Sequence, residues 1–405
     1  MSLSDSNSTK KSRREDIDAD WSDMAGHWRI RPDTCYLNHG SFGLTPTAVV
    51  KCRQDWSRLL DEQPMDFYLR QLEPAFHNAR DELAGWLNTE SKNLVFVENA
   101  TSAMNIVAGS FPLEPGDEVL LNNHEYGAVR RIWQTQCDAN QAKLVSAHLA
   151  LPLETHAQIV DSLFAKVTRK TRLIVVSHIT SPTAIIMPVQ EICDRAKAMG
   201  IAVCIDGPHA LAQLEVDLSQ LNCDFYTASC HKWLCAPLGS GFLYASAPNH
   251  SRMHPINRSW GRLLPAIPER WDEEFIWMGT RDPASFFAIP AAIKFMEKVG
   301  LESFRSRTHW LATDARKKLL DLFKTHGQTP ATRQWYVTMC EVPLPESCWP
   351  ACPDLQSRLW SRHGIEVPVI QFEDRWFIRV SYHLYNTTAD TEKLLDALSG
   401  ELKIR

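Results

Sequence analysis

Two short apolar segments, each followed by polar residues, lie within residues 202–233, which read AVCIDGPHALAQLEVDLSQLNCDFYTASCHKW. The first segment leads into Asp206 and His209, and the second leads into Ser229 and Lys232. In an open α/β sheet, side chains at the carboxyl ends of the strands point into the crevice where ligands bind. The chain between Asp206 and Lys232 is long enough for one connection and a second strand. We therefore predict that both side chains reach one pocket.

The same alternation of a short apolar segment and a segment with helical spacing extends over about residues 94–246. This pattern predicts an α/β sheet. Consecutive apolar residues, as at 173–176, favour strands that are covered on both faces. A helix is predicted at 189–199, between two of the strands. The predicted strands are 94–99, 118–123, 143–149, 172–179, 202–206, 224–229 and 241–245.

The composition changes after about residue 250, where repeated prolines indicate a crossing region between domains. Beyond it, the pattern predicts a smaller α+β domain. Helices are predicted at 286–299, 302–325 and 389–402, and strands at 336–342 and 375–380. The predicted organisation is a polar flexible tail at 1–30, an N-terminal arm and large domain at 31–285, and a small domain at 286–405.

Composition and charge exclude several classes of protein. The chain has 405 residues, of which 44% are hydrophobic, so it can bury a large core. Its 43 Lys and Arg against 48 Asp and Glu give a net charge of −5, too near neutral for a nucleic-acid partner. No apolar run approaches the ~20 residues of a membrane span.

The eleven cysteines include no Cys-x2-Cys pair. This spacing argues against a disulfide framework and a thiolate zinc site, so we predict no metal. The pair Arg13 and Arg14 is followed by polar residues rather than by the apolar run of an export signal. Free thiols without an export signal lead us to expect a cytoplasmic location.

The motifs Asp-x-x-His after one strand and Ser-x-His-Lys after the next resemble those of the class V aminotransferase family. These enzymes have fold type I and use pyridoxal 5'-phosphate (PLP). The resemblance covers most of the chain from about residue 33 and is greatest for the isopenicillin N epimerase-like branch. It implies a large domain with a mostly parallel seven-stranded sheet and a smaller C-terminal α+β domain. The other segments that carry it are 37–43, 99–102, 124–127 and 279–282.

The resemblance implies roles around the cofactor ring. Lys232 would form a Schiff base with the cofactor aldehyde and later act as the base at the substrate α-carbon. Asp206 would keep the pyridine nitrogen protonated and so make the ring an electron sink, although a turn aspartate is the alternative. Tyr126 resembles the aromatic residue stacked on the ring, and His209 the residue beside its phenolic oxygen. Core packing is the alternative for both.

The phosphate needs hydroxyl and N–H donors. Thr101 and Ser102 come at the start of a predicted helix, whose positive end suits a dianion, although a simple helix cap is the alternative. The family pattern adds Ser229 and His231 to the phosphate site. Thr280 resembles a residue that the neighbouring subunit donates to the phosphate, which implies a homodimer.

Arg379, in an Arg-x-Ser segment, resembles the family's clamp for the substrate carboxylate, because a guanidinium group matches a carboxylate with two parallel hydrogen bonds. An ordinary surface arginine is the alternative. Asn38 and His39 are predicted to approach the substrate, although a glycine-containing turn can exist for backbone geometry alone.

The reaction itself stays open at this level. Cysteine desulfurases have a nucleophilic cysteine shortly before their Arg-x-Ser motif, whereas no cysteine follows Cys352 here. A persulfide mechanism is therefore disfavoured, but a C–S lyase without a cysteine nucleophile is not. Pro208 and Thr180 depart from the family pattern and leave the phenolic contacts of the cofactor open.

After α-proton removal, epimerisation, transamination and elimination are all possible, and the resemblance favours the epimerase. An epimerase needs a second acid/base, for which Tyr126 and His39 are the candidates. The expected substrate is an amino acid or an amino-acid-like molecule with a free α-carboxylate. A binding or regulatory protein that retains the fold is the non-enzymatic alternative.

Overall fold

The computed structural model describes residues 21, 23–259 and 270–404. The chain divides into two compact units. The large unit is Ala48–Val299, and the terminal unit combines Met1–Thr47 with Gly300–Arg405.

Twelve strands lie within the described residues. In chain order they are β1 (Cys35–Tyr36), β2 (Leu94–Val97), β3 (Glu118–Asn122), β4 (Lys143–Ala147), β5 (Thr171–Ser177), β6 (Ala202–Asp206), β7 (Phe225–Ser229), β8 (Gly241–Ala245), β9 (Met339–Pro343), β10 (Ile365–Glu366), β11 (Val369–Phe372) and β12 (Arg375–Ser381).

The longer helices are Thr47–Glu62, Leu72–Trp86, Ala100–Ser110, Gly127–Ala139, His156–Phe164, Val189–Ala198, Ile289–Val299, Leu301–Phe323, Leu355–His363 and Thr388–Leu402. Short helical segments are Met24–His27, Pro64–Asp66, Phe67–Gln71, Ser91–Asn93, Ala247–Arg252, Glu273–Ile276, Ala284–Phe287 and Glu346–Ala351.

The large unit is built around a seven-stranded sheet with the order β2-β8-β7-β6-β5-β3-β4. Strand β8 is antiparallel to both of its neighbours, and the remaining pairs are parallel. All seven strands predicted from the sequence are present. The predicted α/β class with a mostly parallel seven-stranded sheet is confirmed.

Register in the centre of this sheet brings polar side chains together at its carboxyl edge. Ser177 of β5 pairs with Asp206 of β6, and Asp206 pairs with Thr227 of β7. The strands behind this edge are buried on both faces, because helices cover the sheet.

Apolar side chains from helices Ala100–Ser110 and Gly127–Ala139 pack on the sheet. They include Met104, Val107 and Trp133, which are all fully buried. Burial of a large apolar side chain contributes about 1.5–3 kcal/mol. The edge that carries Asp206 is thereby held on a rigid base.

The terminal unit contains two small sheets. Strands β11, β12 and β9 form an antiparallel sheet in that order, and β1 pairs in parallel with β10. An isolated bridge links Asn38 to Ser381, at the end of β12. These pairings join the N-terminal segment to the C-terminal part of the chain.

The compact units differ from the predicted domains. Residues 31–47 group with the C-terminal part, not with the large domain, because β1 pairs with β10. The division after the large unit falls at Val299 rather than at residue 285.

The predicted tail at 1–30 is also corrected at its end. Met24–His27 forms a helical turn, and Trp28 is buried and donates a hydrogen bond to the Leu44 carbonyl. Residues 1–20 lie outside the described residues. In the described part of the chain, no helix is long and apolar enough to cross a membrane.

Candidate active site

Asp206 ends β6 and is only 4% exposed. Its carboxylate accepts a hydrogen bond of 2.9 Å from the Thr227 hydroxyl. Burial raises the pKa of Asp206 to about 6, against the opposing effects of Thr227 and the Lys232 charge. Since a buried carboxylate gains from a nearby positive charge, this site suits a protonated ring nitrogen.

The turn after Asp206 depends on a glycine. A Cβ at Gly207 would lie 2.1 Å from the Tyr226 hydroxyl, so a larger residue would displace the turn from β7. That hydroxyl is held 2.9 Å from Nδ1 of His178, whose pKa burial lowers to about 4. The packing fixes the backbone between Asp206 and His209.

Lys232 and His209 lie side by side in the large unit. Lys232 Nζ lies 3.2 Å from His209 Nε2, and the Trp233 indole N–H donates to His209 Nδ1 over 3.3 Å. Because Nδ1 accepts, a neutral His209 carries its proton on Nε2. The Lys232 amine, the group that would form the Schiff base, is then within hydrogen-bond distance of that nitrogen.

The start of helix Ala100–Ser110 lies beside the end of β7. The backbone N–H of Ala100 donates to the Ser229 hydroxyl over 3.0 Å, which leaves the hydroxyl proton of Ser229 able to donate. Asn99 caps the helix by accepting from the N–H of Ser102. Thr101 is exposed in the first turn. Hydroxyls at a positive helix end form a site for a dianion.

His231 adds an unsatisfied donor or acceptor to this region. Its Nδ1 atom is buried and has no hydrogen-bond partner. Burial and the Lys232 charge lower the pKa of His231 to about 4, against a backbone hydrogen bond to Ser240. A buried orphan nitrogen is costly, and a phosphate oxygen would satisfy it. Together with the carboxylate of Asp206 and the amine of Lys232, these groups fit PLP.

Two further predicted residues of the large unit have exposed side chains. Tyr126, which precedes helix Gly127–Ala139, is 49% exposed and so offers a ring face for stacking. Thr280 is also exposed and follows Gly279, whose φ of +106° favours glycine.

The predicted substrate residues lie in the terminal unit. Arg379 is 3% exposed and donates from Nη2 to the Ser41 hydroxyl over 3.0 Å. Burial lowers the pKa of Arg379 to about 10, so a bound carboxylate would stabilise its charged form. Asn38 forms a β-bridge with Ser381, two residues after Arg379. The side-chain amide of Asn38 donates a hydrogen bond of 3.2 Å to Oε1 of Glu366.

His39 is fully buried among aromatic rings. Its Nδ1 atom lies 2.8 Å from the Tyr385 hydroxyl, and its ring stacks on that of His383 with centroids 4.1 Å apart. The structure therefore groups Asn38, His39 and Arg379 within one unit.

Several residues near these groups were not predicted. Thr227, Trp233 and Tyr385 make the hydrogen bonds described above, and Glu125 is a buried carboxyl beside Tyr126. Thr227 could have been found from strand register, because it lies on β7 and pairs with Asp206 on the neighbouring strand β6. Glu125 belongs to the segment 124–127. The available signal for it was a charged residue directly before Tyr126, in a turn that the structure buries.

Most of the cysteines are covered by the fold. Ten of the eleven are buried, and Cys52 is half-buried. Cys230 and Cys235 flank Lys232 in sequence, and burial raises the pKa of both thiols far above the usual range. Since the thiolate is the reactive form, burial disfavours a nucleophilic role for these two cysteines.

Comparisons with known proteins identify the family of this chain. The family model for aminotransferase class V matches residues 46–394. Isopenicillin N epimerase of Streptomyces clavuligerus is 32% identical, over 95% of this chain and 99% of the relative. L-cysteine desulfhydrase of Arabidopsis thaliana is 26% identical, over 91% of this chain and 87% of the relative.

A solved structure of a C-DES mutant, with glycine covalently linked to its PLP cofactor, has the same fold. Its TM-score is 0.80 at 19% identity, over 92% of this chain and 97% of that chain. The family model alone covers most of the chain. The chain therefore belongs to the class V aminotransferase family, with fold type I and PLP as its cofactor.

Proposed function

We propose that this chain is an epimerase that acts at the α-carbon of an amino acid or an amino-acid-bearing substrate, as isopenicillin N epimerase does. The observation that carries the proposal is the Lys232 amine, held 3.2 Å from His209 in the unit that also buries Asp206. Similarity to an epimerase over 95% of the chain supports this choice of reaction.

The bound cofactor supplies an electron sink that makes the α C–H of the substrate acidic. Lys232 Nζ takes the α-proton. Asp206 keeps a proton on the ring nitrogen, since its buried carboxylate gains from the positive charge. His231, Ser229 and the first turn after Asn99 hold the phosphate. Arg379 binds the substrate carboxylate, and Ser41 orients the guanidinium group.

Epimerisation also needs a second proton donor besides Lys232. Of the two candidates, His39 is favoured because its Nδ1 is hydrogen-bonded to the Tyr385 hydroxyl, a group that can relay a proton. Tyr126 is assigned instead to the ring face, where its exposure suits stacking.

The second candidate function is a C–S lyase without a cysteine nucleophile, and similarity to an L-cysteine desulfhydrase supports it. The burial of most thiols argues against a desulfurase that forms a persulfide. A transaminase, which would return the proton to the cofactor carbon, uses the same residues. A binding or regulatory protein would not need both the lysine and the carboxylate that polarises the ring.

We further propose a homodimer in which Thr280 of each subunit serves the phosphate of the other. Its exposure beside Gly279 supports this role. Light scattering after gel filtration measures the mass. A monomer that retains full activity would refute the assignment. The cytoplasmic location stays a prediction.

Incubation with amino acids in deuterated water tests the reaction. For an epimerase, we expect deuterium at the α-carbon of both enantiomers and no net loss of substrate. Release of sulfide or pyruvate from a cysteine derivative would instead establish the lyase, and formation of a keto acid the transaminase. Absence of all three, with cofactor bound, would support the non-enzymatic alternative.

A further inference from the structure

Glu125 is a buried carboxyl that the proposed function does not use. It lies in the turn between β3 and helix Gly127–Ala139, directly before Tyr126. Only 5% of the residue is exposed. A carboxyl in such a place costs free energy, and a neutral side chain of the same shape would avoid the cost.

Every oxygen of this carboxyl is held. Oε1 accepts from the backbone N–H of Ser177 over 3.1 Å, and Oε2 accepts from the Ser177 hydroxyl over 2.6 Å. The side-chain amide of Asn122 also donates to Oε1, while its oxygen accepts from the N–H of His124. Glu125 thus ties the turn after β3 to the last residue of β5.

Ser177 is the residue that pairs with Asp206 across β5 and β6. The chain of contacts therefore runs from the Tyr126 turn, through Glu125 and Ser177, to the strand residue beside Asp206. Burial raises the pKa of Glu125 to about 7, and the charge of Asp206 adds to this effect, whereas Ser177 and Asn122 oppose it. The two carboxyls are close enough to influence each other.

We propose that Glu125 is a positioning residue for the PLP ring: it fixes the turn that carries Tyr126 relative to Asp206. The inference rests on the proposed placement of Tyr126 on the ring face and of Asp206 at the ring nitrogen. A ring that stacks on Tyr126 then presents its nitrogen to Asp206 in one orientation. Glu125 itself does not touch the ring in this arrangement.

The test uses three variants of the holoenzyme. Glu125→Ala removes the hydrogen bonds and the charge, Glu125→Gln keeps an acceptor for the Ser177 N–H, and Ser177→Ala removes one bond from the other side. Asp117→Asn is the matched control, because Asp117 bonds Arg172 over 2.8 Å and so links the opposite ends of the same two strands. The readouts are the cofactor dissociation rate, visible circular dichroism of the bound cofactor, and kcat and KM.

For Glu125→Ala we expect cofactor release to become about tenfold faster, as for other supporting contacts around a bound group. We also expect the dichroism to fall and kcat to drop with little change in KM. Glu125→Gln should restore most of the retention and dichroism, and Asp117→Asn should match the wild type. Cofactor release and dichroism of Ser177→Ala should lie between those of Glu125→Gln and Glu125→Ala. If Glu125→Ala does not fold, Ser177→Ala provides the test of the proposal.

Wild-type dichroism and cofactor release in both Glu125 variants would overturn the proposal. Equal losses in Glu125→Ala and Asp117→Asn would also overturn it, because general destabilisation would then explain both. If the wild type binds the cofactor but converts no amino acid, the proposed function fails while these binding and dichroism tests still decide the role of Glu125.

Discussion

The large unit and the terminal unit each bury a charged residue of the proposed site, Asp206 and Arg379, and these two residues are of opposite sign and are positioned in different ways. In the large unit, Asp206 is delivered by a strand, and its neighbours Thr227 and Lys232 follow within the same stretch of chain. In the terminal unit, Arg379 is oriented by Ser41, which is 338 residues away in sequence. Burial raises the pKa of Asp206 and lowers the pKa of Arg379.

The opposite signs of the two buried charges assign a different ligand group to each unit. Burial makes each of these charges costly, so each unit favours a ligand group of the opposite sign. The large unit suits the cationic ring nitrogen of PLP, and the terminal unit suits a carboxylate. The two sites are then distinguishable by mutation, since one set of changes should alter kcat and the other KM.

The largest effect is expected for Lys232→Ala, which removes the proposed base of the large unit. We expect kcat to fall by at least about 10³-fold. Borohydride should also no longer fix the cofactor to the chain. Lys197→Ala is the control, since the exposed Lys197 only contacts Asn222. Unchanged turnover in Lys232→Ala would break the large-unit side of the comparison.

Asp206→Asn removes the buried negative charge and keeps an oxygen that can accept from Thr227. We expect kcat to fall about 10²-fold with little change in KM, because the ring nitrogen loses its stabilising carboxylate. The measurement is steady-state kinetics beside Asp217→Asn, a half-buried carboxylate of the same unit that accepts hydrogen bonds from Asn88 and Ser219. A rise in KM at constant kcat would show that Asp206 binds substrate instead.

Arg379→Lys keeps a positive charge in the terminal unit but loses the planar fork. We expect KM to rise about tenfold or more, with a smaller change in kcat. Arg375→Lys is a matched control on the same strand, because Arg375 is exposed and bonds Gln328. If the wild type has equal KM values for an amino acid and for the corresponding amine without the carboxylate, Arg379 does not bind that carboxylate.

Tyr385→Phe removes the hydroxyl that contacts His39 and leaves the ring packing in place. We expect racemisation to slow about tenfold, while exchange of the α-proton with solvent from one enantiomer continues. Tyr336→Phe, which removes a hydroxyl bonded to Thr313, provides the control. Equal slowing of exchange and racemisation would remove the assignment of His39 to the second face.

The smallest effect concerns pH. The raised pKa values of Asp206 and Glu125 mean that the unfolded chain releases these protons at lower pH than the folded chain. Between about pH 4 and 7 these two carboxyls bind more protons in the folded state, so they make the free energy of unfolding of the cofactor-free chain fall as pH rises. His178 and His231, whose pKa values are lowered, contribute the opposite slope. Thermal unfolding of the wild type beside Asp206→Asn isolates the carboxyl: the wild type should lose stability relative to the variant as pH rises, and a difference that does not change with pH would show that Asp206 does not titrate in this range.

Much of the large unit could be predicted because its strands are continuous apolar segments and its key residues follow them directly. The strand 202–206 was predicted with its observed bounds. In the terminal unit, the strand predicted at 336–342 is Met339–Pro343, since residues before Met339 form turns despite their apolar character. Hydrophobicity there reports burial rather than strand pairing.

The sequence by itself determined the α/β class, the seven strands of the large sheet and the place of Asp206 and Lys232 at or shortly after the ends of two of them, because apolar periodicity and the ends of parallel strands are local properties. Only the tertiary structure decided that residues 31–47 join the C-terminal unit, that Ser41 orients Arg379, and that Glu125 is tied to Ser177. These contacts depend on which distant segments lie side by side, and strand register rather than composition sets that arrangement.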